Sequence, residues 1–193
     1  MPNSDKILEF LLTCGRLKTT KRTGWVQSHV NLPESISDHM HRMAILSLII
    51  QNDQIDFNKC VQLSIVHDMA EAIIGDLTPD SGISKHDKHM MESQALDQML
   101  ADLDGPVQDR IRQLWNEYEQ AETAEAKYVK DVDKIEMLIQ AFEYERDQGL
   151  DLSRFYESTL HRLNSQTIKD LANCLMKRRE RLKRDGSDSI SSQ

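Results

Sequence analysis

The sequence predicts an all-α protein built as a single helical bundle. Glycine and proline, which interrupt helices, number only 7 and 4 in 193 residues. Apolar residues recur at spacings of three and four, and no run shows the strict apolar and polar alternation that would mark several strands. The length suits one domain with a sizeable core, which we place at residues 1–184, and the Ser- and Asp-rich residues 185–193 predict a disordered tail.

Three helices are predicted in the N-terminal half of the chain. Ser4 suits a helix cap and Gly15 a helix end, whereas the polar stretch that follows lacks helical periodicity. In the second helix, His39 shares one face with apolar residues at steps of three and four. The third helix is apolar on most sides, which predicts a central position. These helices run from Ser4 to Gly15, over residues 38–51, and from Asp56 or Asn58 to residue 74, with the polar loop at 16–37.

The C-terminal half predicts four further helices. Gly75 opens a turn-rich loop, and Pro106 suits the first position of a helix. An apolar stripe from Tyr128 to Phe142 marks a long helix that Gly149 ends. The four predicted helices cover residues 85–103, 106–121, 123–147 and 164–184.

Charge and composition exclude several classes of function. A formal net charge of −8 argues against a general affinity for nucleic acid polymers, yet it leaves a small phosphorylated ligand possible, because a bound dication reverses the local charge. No apolar run approaches the ~20 residues that span a bilayer, so no membrane association is expected. The N-terminus lacks the features of a secretory signal, and the three cysteines form no CxxC pair. These features predict a cytoplasmic protein.

The residues that carry chemistry are two histidines and two aspartates. The adjacent pair His67 and Asp68 lies in an apolar helix, where an ionised Asp is costly unless a partner or a metal compensates. A histidine paired with an aspartate in the core is the structural alternative. However, His39 and Asp133 occupy two other helices, and two imidazoles with two carboxylates can surround one divalent cation, such as Mn²⁺, Co²⁺, Mg²⁺, Fe²⁺ or Zn²⁺.

The order His, then His-Asp, then Asp resembles the pattern of the HD-domain phosphohydrolase superfamily, which is all-helical. The segments ESISDHMHRMA, HDMAEAIIGDLTP and KRTGWV resemble its 5′-deoxynucleotidase branch over roughly residues 5–184. Asp38 stands where that branch commonly has Glu, and Thr23 and Gly24 separate an Arg and a Trp that are adjacent in some bacterial members. The resemblance implies metal ligands at His39, His67, Asp68 and Asp133.

The same resemblance implies roles for residues around the metal. Glu71 would manage a proton and Asp76 would orient water or the sugar, while Arg22 would hold phosphate. Trp25 would stack on the nucleotide, although a tryptophan in a loop equally suits a packing role. A pairing of Glu71 with a surface lysine and a capping role for Asp76 are the structural alternatives.

The resemblance implies an enzyme that hydrolyses deoxyribonucleoside 5′-monophosphates to a nucleoside and phosphate. It also implies that the chain forms a homodimer. The deoxy preference comes from the resemblance alone. Two alternatives stay open: an HD-domain hydrolase of another nucleotide, either a triphosphate or a signalling nucleotide, and a non-catalytic nucleotide-binding HD module.

Overall fold

The computed structural model describes residues 3–49, 55–78 and 81–190, with side chains up to residue 185. Over these ranges the protein is helical, with a single isolated bridge between Lys21 and Ser35 and no sheet, so the predicted fold class is confirmed. None of the described helices combines the length and hydropathy that a bilayer crossing requires. The helices are α1 Ser4–Gly15, α2 Thr23–Gln27, α3 Ile36–Ile49, α4 Phe57–Val66, α5 Glu71–Ile74, α6 Lys85–Leu100, α7 Gly105–Gln120, α8 Ala124–Gln148, α9 Ser153–Thr159 and α10 Gln166–Ile190, with 3-10 turns at Arg16–Lys18 and Leu160–Arg162.

The described residues fall into two compact units that divide between Val129 and Lys130. In the first unit, α3 packs against α4, α4 against α7, and α5 against α6 and α1. Their apolar faces share one core, which includes the fully buried Ile36, Leu96 and Trp115. This core supports the backbone on both sides of the segment that follows α4.

The second unit contains a buried ion pair. The guanidinium of Arg179 on α10 donates two hydrogen bonds to the Glu145 carboxylate, at 2.6 and 2.7 Å, and lies over the ring of Tyr156. Glu145 also accepts the N–H of Leu152 at 3.1 Å, close to the start of α9. The ion pair therefore offsets the free-energy cost of burying both charges, and the bond from Leu152 fixes the turn before α9.

The third predicted helix differs from its prediction, because α4 ends at Val66 and α5 begins at Glu71. From the end of α4 into the start of α5, the N–H groups of residues 69 and 71–73 each bond the carbonyl three residues earlier, which is the tighter 3-10 pattern. The carbonyl of Ser64, which would accept the Asp68 N–H in a continued α-helix, pairs with the His67 ring at 2.9 Å. The HD pair therefore lies in a tight turn and not inside a regular helix.

Three other differences concern the ends of helices and the loops. The predicted loop at 16–37 contains a 3-10 turn and α2, and α9 lies in a stretch without a predicted helix. The backbone stays helical to Ile190, whereas a disordered tail is predicted from residue 185. A glycine inside a helix costs only about 1 kcal/mol relative to alanine, so a long preceding helix can propagate through Gly186. The predicted helix positions 50 and 51, and residues 191–193 of the tail, lie outside the described residues.

Candidate metal centre

His39, the first predicted ligand, lies in the first turn of α3 and is fully buried. Reciprocal hydrogen bonds fix this end of the helix: Asp38 donates its N–H to Ser35 Oγ at 3.2 Å, and Ser35 donates its N–H to Asp38 Oδ2 at 2.8 Å. The N–H of Ile36 also bonds the Thr20 carbonyl at 3.0 Å. His39 is thus carried by a capped helix end that is joined to the segment before α2.

His67, the second predicted ligand, lies in the tight turn after α4, against the ring of Tyr118 at a centroid distance of 4.8 Å. Its Nδ1 lies 2.9 Å from the Ser64 carbonyl. A carbonyl can only accept, so Nδ1 carries the proton and the Nε2 of the neutral ring presents its lone pair. That Nε2 atom is buried and makes no hydrogen bond. The tautomer therefore suits a metal ligand.

Asp68 brings its carboxylate to both histidines. Its Oδ2 lies 3.0 Å from His67 Nε2 and 3.9 Å from His39 Nε2. Burial opposes ionisation of Asp68, but when the His67 and His39 rings carry a proton, their charge and that of the Arg22 guanidinium outweigh it and hold the pKa of this carboxyl well below its usual range. Asp68 is therefore available as an anionic ligand.

These three residues fit a divalent cation. One ligand atom from each of His39, His67 and Asp68 lies within 4.8 Å of the other two. Two imidazole nitrogens and a carboxylate oxygen form a donor set that borderline and hard dications accept. Buried polar atoms without a hydrogen bond are rare in native proteins, and a bound cation would account for the one at His67 Nε2. Asp133 is half-buried on α8 in the second unit, and its place as a fourth ligand stays a prediction.

Glu71 is a buried carboxyl at the first residue of α5, one turn beyond the HD pair. Only 4% of its surface is exposed, and its Oε2 makes no hydrogen bond. Burial, together with the nearby carboxylates of Asp68 and Asp76, raises its pKa well above the usual range, although Arg22 and Lys88 oppose this. A carboxyl in such a position can hold a proton at a pH where an exposed glutamate has lost it.

Asp76 follows Gly75, whose φ of +74° and ψ of 176° belong to a region that glycine alone adopts readily. Its side chain is half-buried, and Oδ2 accepts the N–H of Thr23 at 2.6 Å. This hydrogen bond joins the Asp76 carboxylate to the N-terminus of α2. Asp76 therefore makes a structural contact in addition to the role predicted from the sequence. The contribution of Asp76 to a reaction stays a prediction.

Arg22 caps α2 with its backbone and directs its guanidinium to the HD pair. Its carbonyl accepts the N–H groups of Trp25 and Val26, and its NH1 atom lies 3.7 Å from Asp68 Oδ2. The side chain is 15% exposed, so the guanidinium is largely desolvated beside the candidate metal centre. The phosphate-binding role of Arg22 stays a prediction.

Trp25 is buried, with 1% of its surface exposed. Its Nε1 donates to Glu34 Oε1 at 2.8 Å. The stacking role predicted for Trp25 stays a prediction, and its burial favours the packing alternative, because neither ring face is open in this structure.

Glu34 is a buried residue of this site that the sequence analysis misses. Its Oε1 accepts from Trp25 and lies 4.0 Å from Arg22 Nε, and its carbonyl accepts the Arg22 N–H at 3.3 Å. Glu34 thus joins the loop before α3 to the loop that carries Arg22. An acidic residue in a loop has no periodic signal, and the nearest sequence cue is the Ser35 and Asp38 capping box that follows it.

Comparison with known proteins decides the family, because a family model described as an HD domain matches residues 14–173. The chain belongs to the HD domain family. It is 43% identical over 167 residues to the protein named 5′-deoxynucleotidase HDDC2 from Homo sapiens, covering 86% of this chain and 82% of that protein. It is 48% identical over 158 residues to 5′-deoxynucleotidase hdd1 from Schizosaccharomyces pombe, covering 79% and 80%.

A solved structure agrees with this membership of the HD domain family. The PH0347 protein from Pyrococcus horikoshii superposes with a TM-score of 0.74 at 30% identity, covering 87% of this chain and 97% of that one. The family and the branch predicted from the ordered histidine and aspartate segments are therefore confirmed.

Proposed function

We propose that this HD domain protein is a metal-dependent 5′-deoxynucleotidase, which hydrolyses deoxyribonucleoside 5′-monophosphates to a nucleoside and phosphate. The observation that carries the proposal is the buried cluster of His39, His67 and Asp68, with a carboxyl and a guanidinium beside it. Relatives at 43% and 48% identity bear the name 5′-deoxynucleotidase, which supports the substrate class.

The cation would be held by His39, His67 and Asp68, and we propose Asp133 as the fourth ligand from its place in the sequence order. When bound, a divalent cation supplies Lewis acidity at a phosphate oxygen and lowers the pKa of water. The donor set admits Mn²⁺, Co²⁺, Mg²⁺, Fe²⁺ and Zn²⁺, so the metal is to be identified by activity and by analysis of the purified protein.

Residues of the chain itself would bind the phosphate, transfer the proton and orient the substrate. Arg22, largely desolvated and near Asp68, would hold phosphate oxygens with its planar fork of N–H donors. Glu71, whose pKa lies well above the usual range, would accept a proton from the attacking water or deliver one to the leaving oxygen. Asp76 would orient water or the sugar, and Trp25 would either stack on the nucleotide or, through Glu34, support the Arg22 loop.

A nucleotide matrix tests the substrate class. Purified protein is assayed for phosphate release from deoxyribonucleoside and ribonucleoside 5′-monophosphates and from triphosphates, with each metal in turn. A pocket shaped for deoxyribose leaves the added 2′-hydroxyl crowded or unpaired, which costs about 1–3 kcal/mol, or roughly 5- to 150-fold in kcat/KM. We expect the deoxy substrates to exceed the ribose ones by at least several-fold, with smaller differences among bases.

The same matrix separates the alternatives. Activity on triphosphates alone would identify a different HD-domain hydrolase, and binding without turnover under every metal would identify a non-catalytic module. Equal rates on ribose and deoxyribose monophosphates would remove the sugar preference while leaving a phosphomonoesterase.

Two further features of the chain, its free cysteines and an exposed apolar face on α1, bear on its location and assembly. We propose a cytoplasmic protein, since Cys14, Cys60 and Cys174 are free. A homodimer is proposed because Leu8, Leu11 and Leu12 expose more than half of their surfaces on α1, which could supply an apolar face. Sedimentation of the purified protein tests the homodimer.

A further inference from the structure

The segment that carries Asp76 lies between α5 and α6 and is anchored by one residue of α2 and one residue of α6. Gly75 turns the backbone at the end of α5, and residues 76–78 then run towards α6. A carboxylate on such a segment is only as well placed as its backbone, because a displacement of about 1 Å at a reacting group can cost on the order of 10²-fold in rate.

One anchor is Thr23, the first residue of α2. Its N–H donates to Asp76 Oδ2 at 2.6 Å, and its hydroxyl donates to the Asp76 carbonyl at 2.8 Å. The two bonds join residues that are 53 positions apart and restrain both the side chain and the backbone of Asp76. Thr23 directly follows Arg22, so the same contact links the loop that carries Arg22 to the Asp76 segment.

The other anchor is Lys88 on α6. Its Nζ donates to the Leu77 carbonyl at 2.7 Å and lies 3.4 Å from a carboxylate oxygen of Glu92, one turn along the same helix. Only 35% of the Lys88 side chain and 13% of the Glu92 side chain are exposed, so this ammonium is held in a partly desolvated position. Its bond to the Leu77 carbonyl restrains the backbone one residue beyond Asp76.

We propose that Thr23 and Lys88 are positioning residues for Asp76: together they clamp residues 76–78 and set the carboxylate relative to Arg22 and Glu71. Neither residue is among the candidate metal ligands, and both act through the segment that they hold. This inference rests on the proposed function for its kinetic consequence. The clamp itself is a property of the chain and is testable without turnover.

The variants remove the side-chain hydrogen bond of one anchor at a time. Thr23→Val keeps the shape and the backbone N–H but removes the hydroxyl, and Thr23→Ser restores it. Thr19→Val is the matched control, because the hydroxyl of Thr19 is exposed and bonds only the nearby Arg16 carbonyl among the contacts described. Lys88→Met keeps most of the apolar stem, and Lys85→Met, at an exposed position three residues earlier, is its control.

Hydrogen–deuterium exchange on the metal-free protein measures the clamp directly. Peptides that include residues 75–78 should exchange faster in Thr23→Val and Lys88→Met than in wild type, while Thr23→Ser and both controls stay at the wild-type rate. Thermal unfolding checks that each variant is folded. Unchanged exchange in both folded anchor variants overturns the proposal.

Kinetics with the best deoxyribonucleoside monophosphate measures the consequence. Each anchor variant should lose about 2- to 12-fold in kcat/KM, the equivalent of one net hydrogen bond, with the loss mainly in kcat and with recovery in Thr23→Ser. Faster exchange without any kinetic loss also overturns the positioning role. If wild type itself releases no phosphate, the proposed function fails, and that result is distinct from failure of the clamp, which the exchange experiment still decides.

Discussion

Replacing Glu71 by glutamine should make the metal-free protein more stable and the metal-loaded protein less active. Glutamine is nearly isosteric but cannot ionise. The Glu71 carboxyl is 4% exposed, and burial with the Asp68 and Asp76 carboxylates raises its pKa well above the usual value of 4.5. Ionising it in the folded state therefore costs free energy that the unfolded chain does not pay.

The sign and size of the effect follow from this pKa. Below the unfolded value near 4.5 the carboxyl is neutral in both states, so wild type and Glu71→Gln differ little. As the pH rises, the unfolded chain loses the proton first, and wild type loses stability until the folded pKa is passed. Each unit of pKa elevation costs about 1.4 kcal/mol, which corresponds to roughly 3–6 °C in Tm for a chain of this size.

The assay is thermal unfolding of chelator-treated protein at pH 5 and pH 8. We expect the Tm advantage of Glu71→Gln to be at least about 3 °C at pH 8 and to shrink at pH 5, whereas Glu9→Gln, at an exposed position on α1, gains nothing. With metal bound, kcat on the deoxyribonucleoside monophosphate should fall by roughly 10²–10⁴-fold. An unchanged Tm at pH 8 would refute the buried-charge argument, and an unchanged kcat would return Glu71 to a structural role.

Three further outcomes are expected. His67→Ala should lose both bound metal, measured by elemental analysis, and phosphatase activity, and full retention of both would remove the proposed site. Arg22→Lys should raise KM for the monophosphate substrates by more than it lowers kcat, because an ammonium cannot reproduce the planar fork, and an unchanged KM would contradict phosphate binding. Gly75→Ala should lower the free energy of unfolding by about 1–3 kcal/mol in denaturant titrations, because the φ of +74° disfavours a side chain even though the space around it is open; an unchanged midpoint would argue against strain.

Periodicity in the sequence predicts most of the helices but not where they break. The pattern around FNKCVQLSIVHDMAEAII is apolar throughout, so a continuous helix and a helix with a 3-10 turn give the same signal. The break is decided by hydrogen bonds, including the one between the His67 ring and the Ser64 carbonyl, and such bonds leave no periodic trace. The short helix α9 is missed for a related reason, since seven residues are too few to show a repeat.

The residues of the candidate site also fall into two groups, those that the sequence predicts and those that only the structure shows. His39, His67 and Asp68 are predictable because titratable residues in apolar surroundings are costly and therefore few, so their order along the chain is informative. Thr23, Glu34 and Lys88 are common residues in loops or on a helix surface, and their importance appears only through partners such as the Asp76 carboxylate and the Leu77 carbonyl.

This contrast has a physical origin. A ligand or an acid–base group must be a particular residue type, because its chemistry depends on a lone pair or an ionisable proton. A residue that holds such a group needs only a donor or an acceptor at the right distance, and in this protein the backbone supplies half of each contact: the N–H of Thr23, the carbonyl of Leu77 and the carbonyl of Ser64. The sequence therefore shows which groups could react, while the fold determines which of them are held firmly enough to do so.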